Sequence, residues 1–185
     1  MTHAEVEWTL NRLGDVVDSV ATDYTLAEER ANDVVAIRRV DRDDSVVYDG
    51  SADIDMAEPL RKREKALKTG IFVGATFADR DFTPVGTEYN NRAETVIGLT
   101  VEGMNADKYG HVDPEGSNGA PIDIVVRRIR RALLSADARA YPDPGVPDVA
   151  YHDLIQVVDD PQSAQYRDFY RWQGEFAFRG YESLP

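Results

Sequence analysis

The C-terminal stretch YRDFYRWQGEFAFRGY, residues 166–181, is the feature that most narrows the possible folds of this chain. Aromatic residues alternate with polar ones along it: Tyr170, Trp172, Phe176 and Phe178 against Arg171, Gln173, Glu175 and Arg179. Alternation with a period of two is typical of a strand that buries one face. A strand of this length needs neighbouring strands, together with a layer that covers its aromatic face. The stretch therefore predicts a sheet with one apolar face.

Other segments of the chain are also typical of strands. GIFVGATF, residues 70–77, is apolar, and ETVIGLTVEGM, residues 94–104, alternates, so we expect the two to pair as a long β-hairpin. ADRDFTPVG between them is predicted to be a turn or bend, and DDPQSAQ, residues 159–165, a turn or short loop. Shorter strands are predicted at residues 34–40, Val46 to Tyr48 and 151–158.

Three segments of the chain are predicted to be helices, at residues 2–21, 57–69 and 121–136. In the first, Thr2 and Glu5 have the spacing of a capping box. Residues 105–121 are crowded with Gly, Pro, Asn and Asp and are predicted to form an exposed arm, while the prolines of residues 141–148 indicate a constrained connection. The order favours a single α+β domain over residues 1–185, with a mixed or antiparallel sheet and helices on one face.

The charge balance is strongly acidic, with 34 Asp and Glu against 21 Lys and Arg and a formal net charge of −13. Four of the 21 basic residues are lysines and 17 are arginines. High negative charge keeps a protein soluble but makes its compact state repel itself, a repulsion that concentrated salt screens. The composition resembles that of proteins from salt-in haloarchaea or their viruses. The alternative is an acidic protein from a non-saline host.

Four of these arginines lie together in PIDIVVRRIRRALLSA, residues 121–136. On a helical wheel the apolar residues share one side, and Arg127, Arg128, Arg130 and Arg131 share the other. Ile124 and Leu134 lie among the arginines, which suits an interface better than open solvent. Three interpretations are open: a solvated face with pairs inside the chain, a subunit interface that binds carboxylates of a sister copy, and a DNA-facing surface.

The sequence contains no motif that would mark an enzyme. It lacks the phosphate-loop, dinucleotide-binding, nucleophile-elbow and zinc-protease patterns. The three histidines are scattered, no cysteine is present, and His152 is expected to be a packed or edge residue of a strand. We therefore expect no catalytic residue, no cofactor and no metal site. With no apolar run of 18 residues, we also expect no membrane span.

The order of these elements is similar to that of the tail terminator proteins of tailed phages and archaeal tailed viruses. An N-terminal helix, the hairpin of GIFVGATF and ETVIGLTVEGM, and a long polar loop lead into PIDIVVRRIRRALLSA, and YHDLIQVV and YRWQGEFAFRGY follow. The resemblance implies a small α+β protein that forms a hexameric ring at the head-proximal end of the tail tube. The family has no catalytic motif, so the resemblance transfers no functional residue.

The resemblance implies partners as well as a fold. These are other copies of the chain, the tail tube protein and a head-side connector, with genomic DNA passing through the lumen without sequence-specific binding. The protein would belong to the virion tail or neck, and to the host cytoplasm during assembly. The loop would act as an assembly arm, with Asp107, Lys108, Tyr109 and His111 as its contact residues. Two alternatives stay open: another neck or head-completion protein, and a small anion-binding module or enzyme.

Overall fold

A computed structural model describes residues 3–13, 16, 19, 37–41, 46–47, 71–87, 90–104, 122–161 and 169–183. Its helices are α1 (Ala4–Arg12), α2 (Ile122–Leu134) and α3 (Ala136–Arg139). Its strands are β1 (Ile37–Asp41), β2 (Val46–Val47), β3 (Ile71–Thr87), β4 (Asn90–Met104), β5 (Val149–Pro161) and β6 (Phe169–Ser183). The predicted helix at 57–69, the arm at 105–121 and the loop residues 162–165 lie outside the described residues.

The described strands form one mixed sheet in the order β2-β1-β3-β4-β6-β5. β1 pairs with β3 in parallel, and every other pairing is antiparallel. α1 contacts β3 and β4, α2 contacts β5, and the two helices also contact each other, so both cover the same face. The predicted α+β class, the helices on one face and the β3–β4 hairpin are confirmed.

The alternation along β6 places its aromatic residues in the core, as predicted. Trp172, Phe176 and Phe178 are at most 2% exposed, and they face Val101, Ile97 and Thr95 across the β4 ladder. A Cβ on Gly174 would lie 2.3 Å from the Trp172 indole, so the indole lies across the place where a larger residue would put its side chain. The aromatic face is therefore continuous, with glycine providing the space for the largest ring.

The predicted turn at residues 78–86 is wrong, and the predicted turn at residues 159–165 is wrong at its first three residues, because strand pairing includes these residues. β3 continues to Thr87, across the predicted bend of residues 78–86, and β5 continues to Pro161. Register shifts between Phe77 and Asp79, and again between Pro84 and Thr87, accommodate the polar segment of β3. The turn-forming residues of β3 and β5 belong to strands because the neighbouring strands, β4 and β6, supply hydrogen-bond partners for their backbone.

The first shift of register has a consequence for side-chain direction. It leaves Ala78 as an extra residue, so Arg80, which pairs with Thr95, shares the helix-covered face with Phe77 and Ile97. Without the extra residue, Arg80 would point to the other face, because a one-residue slip exchanges the two faces of a strand. The irregularity thus turns a charged residue towards α1.

The described part of α1 follows its predicted stripe, since Val6, Leu10 and Leu13 are at most 2% exposed. The predicted capping box is wrong. The residue that precedes the helix is His3, which makes no side-chain capping bond, and the Glu5 side chain is buried against the sheet. Thr2 lies outside the described residues.

The connection at residues 141–148 forms no regular element, as its prolines predicted. Tyr141, Gly145 and Asp148 have φ values of 55°, 76° and 61°, which lie in the left-handed region. A backbone hydrogen bond from the Tyr141 amide to the His152 carbonyl ties the start of this connection to β5. The connection thereby positions α3 against the edge of the sheet.

Candidate functional site: the arginine face of helix α2

Helix α2 holds the arginine row on a buried apolar base. Its inner residues are at most 7% exposed, and they are Ile122, Val125, Val126, Ile129 and Leu133. Arg127, Arg130 and Arg131 are exposed, and Arg128 is half-buried. The predicted division of the helix into an apolar and a basic face is confirmed, and packing fixes the direction in which the arginines point.

Arg127 and Arg130 each pair with a described carboxylate of the same chain. Arg130 Nη1 lies 3.1 Å from Asp159 Oδ2, and the other oxygen of Asp159 accepts a 2.7 Å hydrogen bond from Trp172 Nε1. Arg127 Nη2 lies 3.9 Å from Asp123 Oδ2, in a pair whose side chains are 77% and 65% exposed. Such exposed pairs contribute about 0–1 kcal/mol, so Arg127 can exchange partners at little cost.

The other two arginines line a groove of about 500 Å³ beside α1. Arg128 Nη1 donates a 3.0 Å hydrogen bond to Ser19 Oγ, whereas Arg131 is exposed and has no polar partner among the described residues. The remaining lining residues are Val16, Ala132 and Ser135. This groove combines guanidinium and hydroxyl donors with a small apolar base, which suits a carboxylate or another oxyanion.

Ile124 and Leu134 are both half-buried, and Leu134 packs against the hydrophobic core. The interpretation of Leu134 as a residue left on the outer face is therefore wrong. Leu134 lines a second groove, of about 360 Å³, between α2, α3 and β5, together with Arg130, Arg139 and Ile155. The predicted arm residues Asp107, Lys108, Tyr109 and His111 lie outside the described residues, and the structure does not place them.

A buried polar network that the sequence analysis did not predict joins α1 to three strands. Glu5 is fully buried, and its Oε1 accepts hydrogen bonds from Arg80 Nη2 at 2.6 Å and from Tyr151 Oη at 2.7 Å. Thr95 Oγ1 accepts from Arg80 Nε at 3.1 Å and lies 3.0 Å from Tyr151 Oη. The i, i+4 pair of Glu5 and Thr9 beside the apolar stripe was the one available signal.

Burial of this network raises the pKa of the Tyr151 hydroxyl well above its usual range, and the neighbouring Glu5 carboxylate adds to the increase. In the unfolded chain the same tyrosine loses its proton near pH 10. Above that pH the unfolded state binds fewer protons than the folded state, so stability falls as the pH rises towards the folded pKa. The stabilising effect is complete below pH ~10.

Tyr151→Phe is expected to weaken the alkaline loss of stability that the native tyrosine causes. At neutral pH the variant should be less stable by about 1–3 kcal/mol, because Glu5 and Thr95 lose a buried hydrogen-bond partner. Between pH 10 and 11.5 this deficit should shrink by up to about 1.4 kcal/mol per pH unit. Urea unfolding across this range measures both effects. Tyr181→Phe, at a 52% exposed residue, is the control. A deficit that stays constant with pH would contradict the assignment.

The described residues offer no arrangement typical of catalysis or metal binding. They contain no group of three or more His, Cys, Asp or Glu side chains that could hold a metal ion. His3 stacks on Phe77 and His152 on Tyr181, which agrees with the edge position expected for His152. No described helix has the length and apolar character needed to cross a membrane.

Comparison with solved structures finds a weak likeness. No protein-family model matches the sequence, and no curated protein matches it. Among solved structures, a chain of "Virion of native gene transfer agent (GTA) particle" aligns with 89% of this chain and 97% of its own length. The two chains are 13% identical, with a TM-score of 0.41. At these values the likeness carries no argument about function.

Proposed function

We propose that this protein is a structural component of a tailed virion, a tail terminator that assembles into a ring. The ring caps the tail tube and joins it to the head-side connector, while DNA passes through the lumen. The observation that carries the proposal is the basic face of α2, a row of four arginines on a chain of net charge −13. A basic face and an acidic remainder on one chain are complementary surfaces for copies of that chain.

Arginine chemistry supports a protein partner for this face. Guanidinium groups bind carboxylates through paired hydrogen bonds and are enriched in interfaces. In the strong salt that the composition indicates, the Debye length is about 3 Å, so long-range attraction to DNA is screened while direct contacts persist. An acidic lumen would repel DNA and let it pass. The order of the described elements, with its long β3–β4 hairpin, supports the proposal through its resemblance to tail terminator proteins.

Electron microscopy of the purified protein in strong salt tests the proposal. We expect rings with a central hole, six subunits by native mass, and rings at the ends of tail tubes when tube protein is added. Capture of the portal-side protein in place of the tube protein would instead identify a head-completion protein. A monomer that binds neither neighbour would contradict both assignments.

Substituting the whole arginine row is expected to prevent ring assembly. Replacing Arg127, Arg128, Arg130 and Arg131 with glutamine removes four positive charges but leaves the buried side of α2 intact. Sedimentation in strong salt should show monomers, with a circular dichroism spectrum close to that of the native protein. The matched control replaces Arg12 and Arg92, two exposed arginines on other elements, and should still form rings. Rings from the fourfold variant would exclude this face as the interface.

A further inference from the structure

Tyr141 has a strained backbone conformation and an exposed aromatic side chain. Its φ of 55° lies in the left-handed region, where the Cβ of an L residue crowds the following carbonyl oxygen. The side chain is 78% exposed, and its ring makes no hydrogen bond or ring contact with a described residue. Backbone strain of this kind clusters at binding sites. No side-chain contact in the described part of the chain accounts for a tyrosine at this position.

The surrounding structure fixes the backbone of Tyr141 in this conformation. The preceding residue, Ala140, forms an antiparallel bridge with Asp153, and the Tyr141 amide donates a 3.3 Å hydrogen bond to the His152 carbonyl. Prolines 142, 144 and 147 restrict the backbone that follows. A partner that binds this ring therefore has to order only the two side-chain torsions of a tyrosine.

A second exposed tyrosine lies beside the first. The Tyr181 ring is 52% exposed and stacks on His152, with 5.5 Å between the ring centroids and 24° between the ring planes. Neither Tyr141 nor Tyr181 has an arginine of its own chain over its ring in the described structure. The exposed ring of Phe82 differs, because Arg80 Cζ lies 6.0 Å from its centroid. We call Tyr141, His152 and Tyr181 the tyrosine edge.

The chain around the tyrosine edge is acidic. Residues 140–153 contain no lysine or arginine, and they contain three aspartates: Asp143, Asp148 and Asp153. None of the three forms an ion pair with a described residue. The arginines on the adjoining strands, Arg92 and Arg179, both bind Glu94, at 3.5 and 2.8 Å. Carboxylates without a cationic partner therefore accompany the exposed rings.

This combination of groups suits a guanidinium ligand. Guanidinium is planar and weakly hydrated, so it stacks on an aromatic ring while its N–H groups bind carboxylates. In the strong salt that the composition indicates, exposed ion pairs alone contribute little. A site that adds ring stacking to the carboxylates retains a contact that salt does not screen. The arginine row of α2 supplies such a ligand, and Arg131 is exposed without a polar partner among the described residues.

We infer that the tyrosine edge binds the arginine row of a second copy of this chain, with the Tyr141 ring stacked on the Arg131 guanidinium. The two surfaces lie on different elements, so the contact is heterologous and each copy both gives and receives it. Repeated around an axis, a heterologous contact closes into a ring. The inference rests on the proposed function in that it requires self-assembly, and it identifies the surface that receives the arginine row.

Tyr141→Gly tests the inference because folding and assembly should respond in opposite directions. Glycine adopts a positive φ without strain, so the midpoint of urea unfolding should equal or exceed that of the native protein. Loss of an aromatic anchor should raise the concentration needed for half-assembly in strong salt by about tenfold or more. Tyr141→Phe keeps the ring and should assemble within a few-fold of the native protein. Phe82→Ala, which removes an exposed ring from β3, is the control that should assemble normally.

A double-variant cycle tests the contact with Arg131, with sedimentation as the measurement. Arg131→Gln alone should also weaken assembly by about tenfold. Combined with Tyr141→Gly, it should weaken assembly little further, because both changes remove the same contact. Normal rings from Tyr141→Gly or from Arg131→Gln, or effects that multiply in the double variant, would overturn the inference and leave the ring proposal standing. Native protein that forms no rings would overturn both.

Discussion

Arg80→Ala is expected to lower the free energy of unfolding by about 3–5 kcal/mol, because it leaves a buried carboxylate without its cation. The Glu5 side chain is 1% exposed, and its Oε1 lies 2.6 Å from Arg80 Nη2. The pair need not stabilise the fold by much relative to an apolar pair of the same shape. The large effect comes from the charge that remains buried after one partner is removed.

Urea unfolding at neutral pH measures this loss, and two further variants make the result specific. Glu5→Gln combined with Arg80→Ala should be more stable than Arg80→Ala alone, because the second change removes the uncompensated charge. Arg92→Ala, which breaks a 3.5 Å pair with side chains 54% and 29% exposed, should cost less than about 1 kcal/mol. An Arg80→Ala variant within 1 kcal/mol of the native protein would contradict this explanation.

Trp172→Ala is expected to cost about 3–5 kcal/mol, the range found for large aromatic residues removed from a core. The side chain is 2% exposed, and its indole lies across Gly174. The substitution also removes the Nε1 hydrogen bond to Asp159, which holds the carboxylate that pairs with Arg130. We therefore expect the arginine face to lose order at Arg130 as well as the core to lose packing.

Two comparisons separate these effects. Trp172→Phe keeps much of the apolar volume but not the hydrogen bond, so it should cost less than Trp172→Ala while still releasing Asp159. Asp159→Asn keeps the side-chain shape and removes the charge that Arg130 binds. Urea unfolding gives the stability of each variant, and hydrogen exchange along α2 reports the order of the helix. Equal stability of the alanine and phenylalanine variants would contradict the packing explanation.

Local patterns in the sequence correctly predicted which face is buried in elements where the periodicity of the element's own residues decides it. The apolar residues of α2 and the aromatic residues of β6 are buried as their periodicities indicated. The hairpin of β3 and β4 was also correctly predicted. Two apolar strands that are adjacent in the sequence can pair with a low entropy cost of loop closure. In each case the evidence lay within one segment, or within two neighbouring segments.

Asp79 and Asp159 are two residues whose secondary structure local sequence patterns predicted wrongly. Each lies among turn-forming residues, yet both belong to strands, because β4 and β6 offer backbone partners that single-residue propensities do not register. The register shift at Ala78 could not be predicted either, and it decides that Arg80 faces α1. Burial of Glu5 depends in turn on that shift and on Tyr151, which is 146 residues away along the chain.

By itself, the sequence determined the α+β class, the two-sided character of α2 and the excess of acidic charge, because period and composition are properties of the chain that folding does not change. Only the tertiary structure decided that Arg127 and Arg130 lie beside carboxylates of their own chain, and that Arg128 and Arg131 line a groove. It also decided that an N-terminal glutamate lies in the core. These outcomes depend on distances between segments that are far apart in the chain. Such distances are set only when the strands have paired in a particular order and register.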